Sequence, residues 1–157
     1  MKKIGIIGGT GYTGGELARL LCRHPDVEIA SMTSRKDAGR RVSDVHSYLY
    51  GYADLEFTEK VSDDVDLVFV ATPHGVAMNE VPSLLSSGIK CIDLSGDYRM
   101  HDVPTYEKWY GHTHTDVENL GMLSTDFPNC SATTSRVPTS LPTPDVTPRQ
   151  PSSLVPL

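Results

Sequence analysis

At 157 residues the chain can bury one ordinary core, so a single domain is the default expectation. A formal net charge of −6 argues against nucleic acid and anionic membranes as main partners. No apolar run approaches the ~20 residues of a membrane span and no basic-then-apolar leader opens the chain. Three widely spaced cysteines, Cys22, Cys91 and Cys130, argue against a disulfide framework or a zinc site and point to a reducing cytoplasm.

The elements follow in chain order. "KKIGIIGG" is a β-branched apolar run entering a glycine cluster, the pattern of a buried parallel strand. "TGGELARLLCRH" places Leu17, Leu20 and Leu21 on one face and predicts a helix beginning around Thr13. "VEIASMTS" is a second strand, and "YADLEFTE" adds a short one. "DLVFVAT" has nearly every side chain apolar, as burial on both faces requires. "AMNEVPSLLSSG" reads as a crossover helix closed by Gly88, leading to the strand "KCIDLS". Residues 36–52 and 97–121 read as loops or short helices. Strands alternating with helices predict an α/β fold with a Rossmann-type, doubly wound parallel sheet, here incomplete.

"GGTGYTGG" supplies Gly8-x-x-Gly11-x-x-Gly14 between the first strand and the first helix. Such a turn needs φ > 0, a close backbone approach to a pyrophosphate and tight helix–strand packing. The helix N-terminus then offers free N–H groups and partial positive charge to the anion. A site preferring NAD places an acid at the end of the second strand for the ribose 2′-OH. Here that strand ends in "TSRK", where Ser34 and Arg35, assisted by Lys36, suit a 2′-phosphate. The cofactor expected is NADP.

Five strings occur in order over residues 1–121: "GGTGYTGGEL", "TSR", "ATPHGVAM", "DLSGDYRM" and "YEKWYGHTH". Together they resemble N-acetyl-gamma-glutamyl-phosphate reductase, the NADP-dependent aldehyde-forming step of arginine biosynthesis. The resemblance puts Gly8, Thr10, Gly11, Tyr12, Thr13 and Gly14 near the phosphates, and Ser34 and Arg35 at the 2′-phosphate. It puts Pro73, His74, Gly75 and Ser95 near the cofactor, in the cleft at the strand ends. It also implies NADPH and a small acyl phosphate as partners, with a homo-oligomer only for a full-length chain. In the family's chemistry a thiolate expels phosphate, and hydride from NADPH reduces the thioester to the semialdehyde. The related reductase of carrier-bound aminoadipate is the alternative. His112 and His114 form a His-x-His without a third ligand, read as a solvated loop rather than a metal site.

Composition breaks at residue 122. Residues 122–157 hold seven of the eleven prolines and no Gly, Lys or Glu, so a disordered C-terminal tail follows a 1–121 cofactor domain. "PNCSATTS" within it resembles the nucleophile turn of aspartate-semialdehyde dehydrogenases, which would make Cys130 catalytic. No helix follows to lower the pKa of Cys130. Read from the third base of the Met122 codon, the tail permits "YGLPEL" and then "NPGCY", the strings that follow in the reductase family. Thr143, Pro144, Asp145, Val146 and Thr147 fix the inner bases of the last five codons. One base lost near the Gly121 codon accounts for both strings and for the proline-rich composition. Cys130 is then a bystander, and the chain as written is a truncated, inactive form or an NADP-binding remnant. At roughly half the family's length, it should also leave apolar surface uncovered.

Overall fold

The computed structural model describes residues 1–120; the tail and Cys130 lie outside the described residues. Strand β1 (Lys2–Ile7) leads through the glycine loop into helix α1 (Tyr12–Leu21), which returns to β2 (Val27–Thr33). A short helix α2 (Val42–Val45) and a 3-10 turn (Ser47–Leu49) precede the two-residue strand β3 (Phe57–Thr58). Strand β4 (Leu67–Val70), helix α3 (Ala77–Ser86), strand β5 (Lys90–Asp93) and helix α4 (Val103–Tyr110) complete the order. The five strands lie β3-β2-β1-β4-β5, and every strand pairing is parallel.

Right-handed crossovers explain the layers. The chain runs from β1 to β2 and β3 on one side, then crosses to β4 and β5 on the other, so the helices fall on opposite faces. Ile6 faces the α1 side, packed with Ala18, Ile29, Met32, Val42, Leu49 and Phe57. Ile7 faces the α3 side, with Val68, Val70, Ala77, Val81, Leu84 and Tyr98. The reversal occurs between β1 and β4, whose carboxyl ends form the crevice in which open α/β sheets bind ligands.

Helix α1 departs from the expected face. Its buried residues are Gly14, Gly15 and Ala18, while Leu20 is 55 % exposed. Small residues let the helix backbone lie close to the strands, so Leu17 and Leu21 flank the contact and Leu20 turns outward. The stretch 97–121 contains α4, capped by Asp102, whose carboxylate accepts from the Thr105 N–H at 2.9 Å. Gly111, at φ 68°, closes the helix as a left-handed residue. On the edge strand side, Ile92 and Leu94 are exposed.

Candidate functional site

The glycine loop is built by close approach. Gly8 has φ 83°, and a Cβ there would stand 2.4 Å from the Ala71 carbonyl oxygen at the end of β4. A Cβ on Gly14 would stand 2.5 Å from the Gly8 oxygen and 2.8 Å from the Gly9 Cα. The Gly9 N–H donates to the Thr33 oxygen at 2.9 Å, which ties the loop to the end of β2. Gly11 caps α1 without a side-chain hydrogen bond, and Tyr12 and Thr13 of the first turn are exposed. Their N–H groups are the donors a helix start leaves unpaired. Thr72 Oγ1 is buried without a partner among the described residues, and its methyl group lies beside Gly8. An uncapped helix start, a loop closed to a Cβ at Gly8 and Gly14, and a spare hydroxyl fit a bound pyrophosphate.

Sequence reasoning missed the support beneath this loop. The His46 Nε2–H donates to the Gly9 carbonyl at 2.8 Å, and Nδ1 accepts from the Tyr48 hydroxyl at 3.3 Å. A Cβ on Gly15 would stand 2.4 Å from that hydroxyl oxygen. His46 lies in the stretch read as loops or short helices, and nothing in its spacing signals the contact.

At the end of β2, Ser34 is buried and Arg35 exposed. The Ser34 N–H donates to the Thr58 oxygen at 3.0 Å, and its Oγ accepts from the Asp37 N–H at 3.2 Å. Asp37 accepts from Arg40 Nη1 at 2.5 Å. Arg35 Nη2 donates to Glu80 Oε1 in the first turn of α3, at 2.9 Å.

On the other side of the crevice, Pro73 and His74 are exposed after β4. Their loop hangs on Asp97, which is fully buried. Its carboxylate accepts from the Gly75 N–H at 2.8 and 3.0 Å, the Ala77 N–H at 3.1 Å and the Tyr106 hydroxyl at 2.8 Å. One buried anion thus orders the loop and faces the positive end of α3. Ser95, also buried, donates its hydroxyl to Asp93 Oδ2 at 2.9 Å and accepts from the Asp97 N–H at 3.1 Å. Burial pushes the Asp93 carboxyl up, and its hydrogen bonds from Ser95 hold it back. Gly96 lets His74 and Tyr110 close over it: a Cβ there would be 2.8 Å from His74 Nδ1 and 2.6 Å from the Tyr110 ring. The sequence offered "DLSGDYRM" as a string but assigned no role to Asp97 or Gly96.

His112 is exposed, whereas His114 corrects the reading of its segment as a solvated loop. His114 is buried and its Nε2–H donates to the Asp97 carbonyl at 2.8 Å. Its ring meets those of Tyr98 and Tyr106 edge-on, at 5.5 and 4.9 Å. The two tyrosines enclose it because their own hydroxyls are satisfied. Tyr98 donates to Asp116 at 2.5 Å, and Tyr106 donates to Asp97.

Burial first, and then those hydrogen bonds, raise both phenols. The folded state therefore keeps protons that the unfolded state releases. The associated stability is full below the ordinary phenol value of about 10 and is lost as pH climbs beyond it. The melting temperature should stay flat to about pH 9 and fall above about pH 10, tyrosinate absorbance rising together with loss of helical ellipticity. Tyr98→Phe should flatten part of that fall; an unaltered alkaline profile contradicts the assignment.

Cys22 and Cys91 are partly buried free thiols. Burial, and then Asp93, push Cys91 up to about 11, and burial also raises Cys22. Neither is an activated nucleophile. Alkylation by iodoacetamide at neutral pH should leave Cys91 roughly a hundredfold slower than a free thiol. Labelling of Cys91 at the rate of glutathione would contradict this.

A cavity of about 250 Å³ lined by Met1, Cys22, Val27, Tyr52 and their neighbours lies at the opposite, amino-terminal edge of the sheet. It has no helix start or glycine loop, and the crevice above β1 and β4 remains the candidate site. Among the described residues, no group of His, Cys, Asp and Glu could hold a metal ion. No helix there is long and apolar enough to cross a membrane.

Known proteins match this chain at the level of family. The profile described as semialdehyde dehydrogenase, NAD binding domain, matches residues 3–144. A protein named N-acetyl-gamma-glutamyl-phosphate reductase from Cellvibrio japonicus is 54% identical over 117 residues, covering 73% of this chain and 34% of its own length. One of the same name from Methanococcus maripaludis is 52% identical over 122 residues, with 74% and 36% covered. The aligned stretch thus spans about a third of the length of these curated relatives. Among solved structures, aspartate semialdehyde dehydrogenase with NADP from Candida albicans superposes at a TM-score of 0.58 and 23% identity, covering 69% of this chain and 36% of that one. That likeness speaks for the fold. The profile match takes in nearly the whole chain and every crevice residue described above. The chain belongs to the semialdehyde dehydrogenase family, through its NAD-binding domain.

Proposed function

We propose that this chain carries the NADP(H)-binding part of a reductase that converts N-acetyl-gamma-glutamyl phosphate to the semialdehyde with release of phosphate. The observation that carries this reading is the uncapped start of α1, with Ser34 and Arg35 on one side of the crevice and the Pro73–Gly75 loop on the other. The names of the relatives supply the reaction.

When bound, NADPH supplies the hydride. The chain's own residues bind and orient it. The N–H groups of Tyr12, Thr13 and Gly14 receive the pyrophosphate, which Gly8 and Gly14 allow to approach. Ser34 and Arg35 receive the 2′-phosphate, the guanidinium as a bidentate donor. Asp97 holds the Pro73–Gly75 loop, so that His74 and Tyr110 wall the crevice at a fixed distance from β5.

The reaction also needs a thiolate, and Cys22 and Cys91 are unsuited to it. We place the nucleophile in codons beyond Gly121 read in another frame, and the chain as written then reduces no acyl phosphate. The composition change at residue 122 and the identity shared with much longer relatives support this. A second reading keeps the recorded frame and makes Cys130 the nucleophile. It is favoured by the family match running to residue 144, past "PNCSATTS".

Sequencing the gene through the Gly121 codon, and assaying both products for phosphate-dependent NADP reduction by the semialdehyde, separates the readings. One additional base that opens "YGLPEL" and "NPGCY", with activity only in the longer product, is the expected outcome. Activity in the 157-residue chain that Cys130→Ser abolishes would establish the second reading.

A further inference from the structure

Arg35 and Glu80 lie 45 positions apart yet form an ion pair of 2.9 Å. Arg35 follows β2, and Glu80 sits in the first turn of α3, after β4. Because β1 lies between β2 and β4, the pair spans the crevice above the glycine loop. Both partners stay wet, with side chains 74% and 35% exposed, so either can exchange for a better ligand. The neighbouring carboxylate does not compete for Arg35, since Asp37 is engaged by Arg40. Glu80 needs no cation to be stable there, because the start of α3 already favours its charge. The guanidinium fork suits a phosphate at least as well as a carboxylate, and a phosphate monoester carries about −1.5 to −2 charges with three acceptor oxygens.

We propose that Glu80 is a specificity-determining residue: it holds Arg35 across the crevice in the nucleotide-free protein and yields it to the 2′-phosphate of an incoming NADP(H). A dinucleotide lacking that phosphate leaves the pair closed. The proposal rests on the NADP reading given above, and its test distinguishes the two.

The 157-residue chain is titrated with NADPH and with NADH, following the fluorescence of the reduced nicotinamide. The wild type is compared with Glu80→Gln, Arg35→Ala and the double variant, all at low salt. Glu80→Gln should tighten NADPH by about three- to fivefold, the range of an exposed ion pair, and leave NADH within about twofold. In the Arg35→Ala background the same substitution should do nothing, because the competition is for Arg35. Three results overturn the proposal alone: no change in NADPH affinity with Glu80→Gln, an equal gain for NADH, or a gain that persists without Arg35. A wild type that binds NADPH no better than NADH, or neither of them, overturns the NADP reading and the proposal together. So does an Arg35→Ala variant that keeps its preference. Arg35 is largely exposed and Glu80 about one-third exposed, and the pair is a surface contact, so thermal melts should lie close together.

Discussion

Asp97→Ala should lower stability by about 4 kcal/mol, a large share of the roughly 5–15 kcal/mol that holds a domain of this size together. Three donors depend on that carboxylate, the Gly75 and Ala77 amides and the Tyr106 hydroxyl, and truncation strands all three. Each stranded buried donor costs about 1–3 kcal/mol. Asp97→Asn should cost about half as much. Its amide oxygen can take the place of Oδ2, which already accepts from both backbone N–H groups, while its NH₂ donates to the Tyr106 oxygen. Differential scanning calorimetry should show the alanine variant melting roughly 15 °C below wild type, with asparagine in between. Two variants melting together, or alanine within a degree or two of wild type, would mean that the carboxylate does not hold the loop.

Gly14→Ala should weaken NADPH binding by about 10- to 100-fold, the worth of one to two charge-assisted hydrogen bonds. The added methyl group meets backbone rather than a side chain, 2.5 Å from the Gly8 oxygen and 2.8 Å from the Gly9 Cα. Neither can swing aside, so the start of α1 must lift away from the loop and its N–H groups leave the pyrophosphate position. Gly11→Ala is the control for steric cost. Gly11 has φ −71°, and a Cβ there meets only the Gly8 oxygen at 3.4 Å, an ordinary contact. Urea unfolding should place Gly11→Ala within about 0.5 kcal/mol of wild type and Gly14→Ala about 1–3 kcal/mol below it. Equal effects from the two would remove the close-approach argument.

The sheet was legible because strands buried between helix layers must be apolar along their length, and "KKIGIIGG" and "DLVFVAT" have that form. The glycine loop was legible because its positions demand residues without a Cβ. The face of α1 was misread for a related reason. Periodicity weighs large apolar residues, while the contact is made by Gly14, Gly15 and Ala18, whose value is that they are small. Helix α4 lies in a stretch read as loops or short helices, and its bounds were not legible because its buried face is one hydrogen-bonded tyrosine, Tyr106, which carries no apolar stripe. Asp97 and His114 look like loop polar residues in the sequence, and only the fold puts donors and rings around them. The Arg35–Glu80 pair depends on strand order, which local sequence does not encode.

On the function proposed above, a dinucleotide bearing a 2′-phosphate lies on the start of α1 with Arg35 at its far end. Backbone amide NMR shifts of the labelled chain on addition of NADPH test it most directly. The largest changes should fall on Thr10 to Gly14 and on Ser34 and Arg35, and NADH should move the first group but not the second. Changes confined to Met1, Cys22, Val27 and Tyr52, around the cavity at the opposite edge of the sheet, would contradict the account.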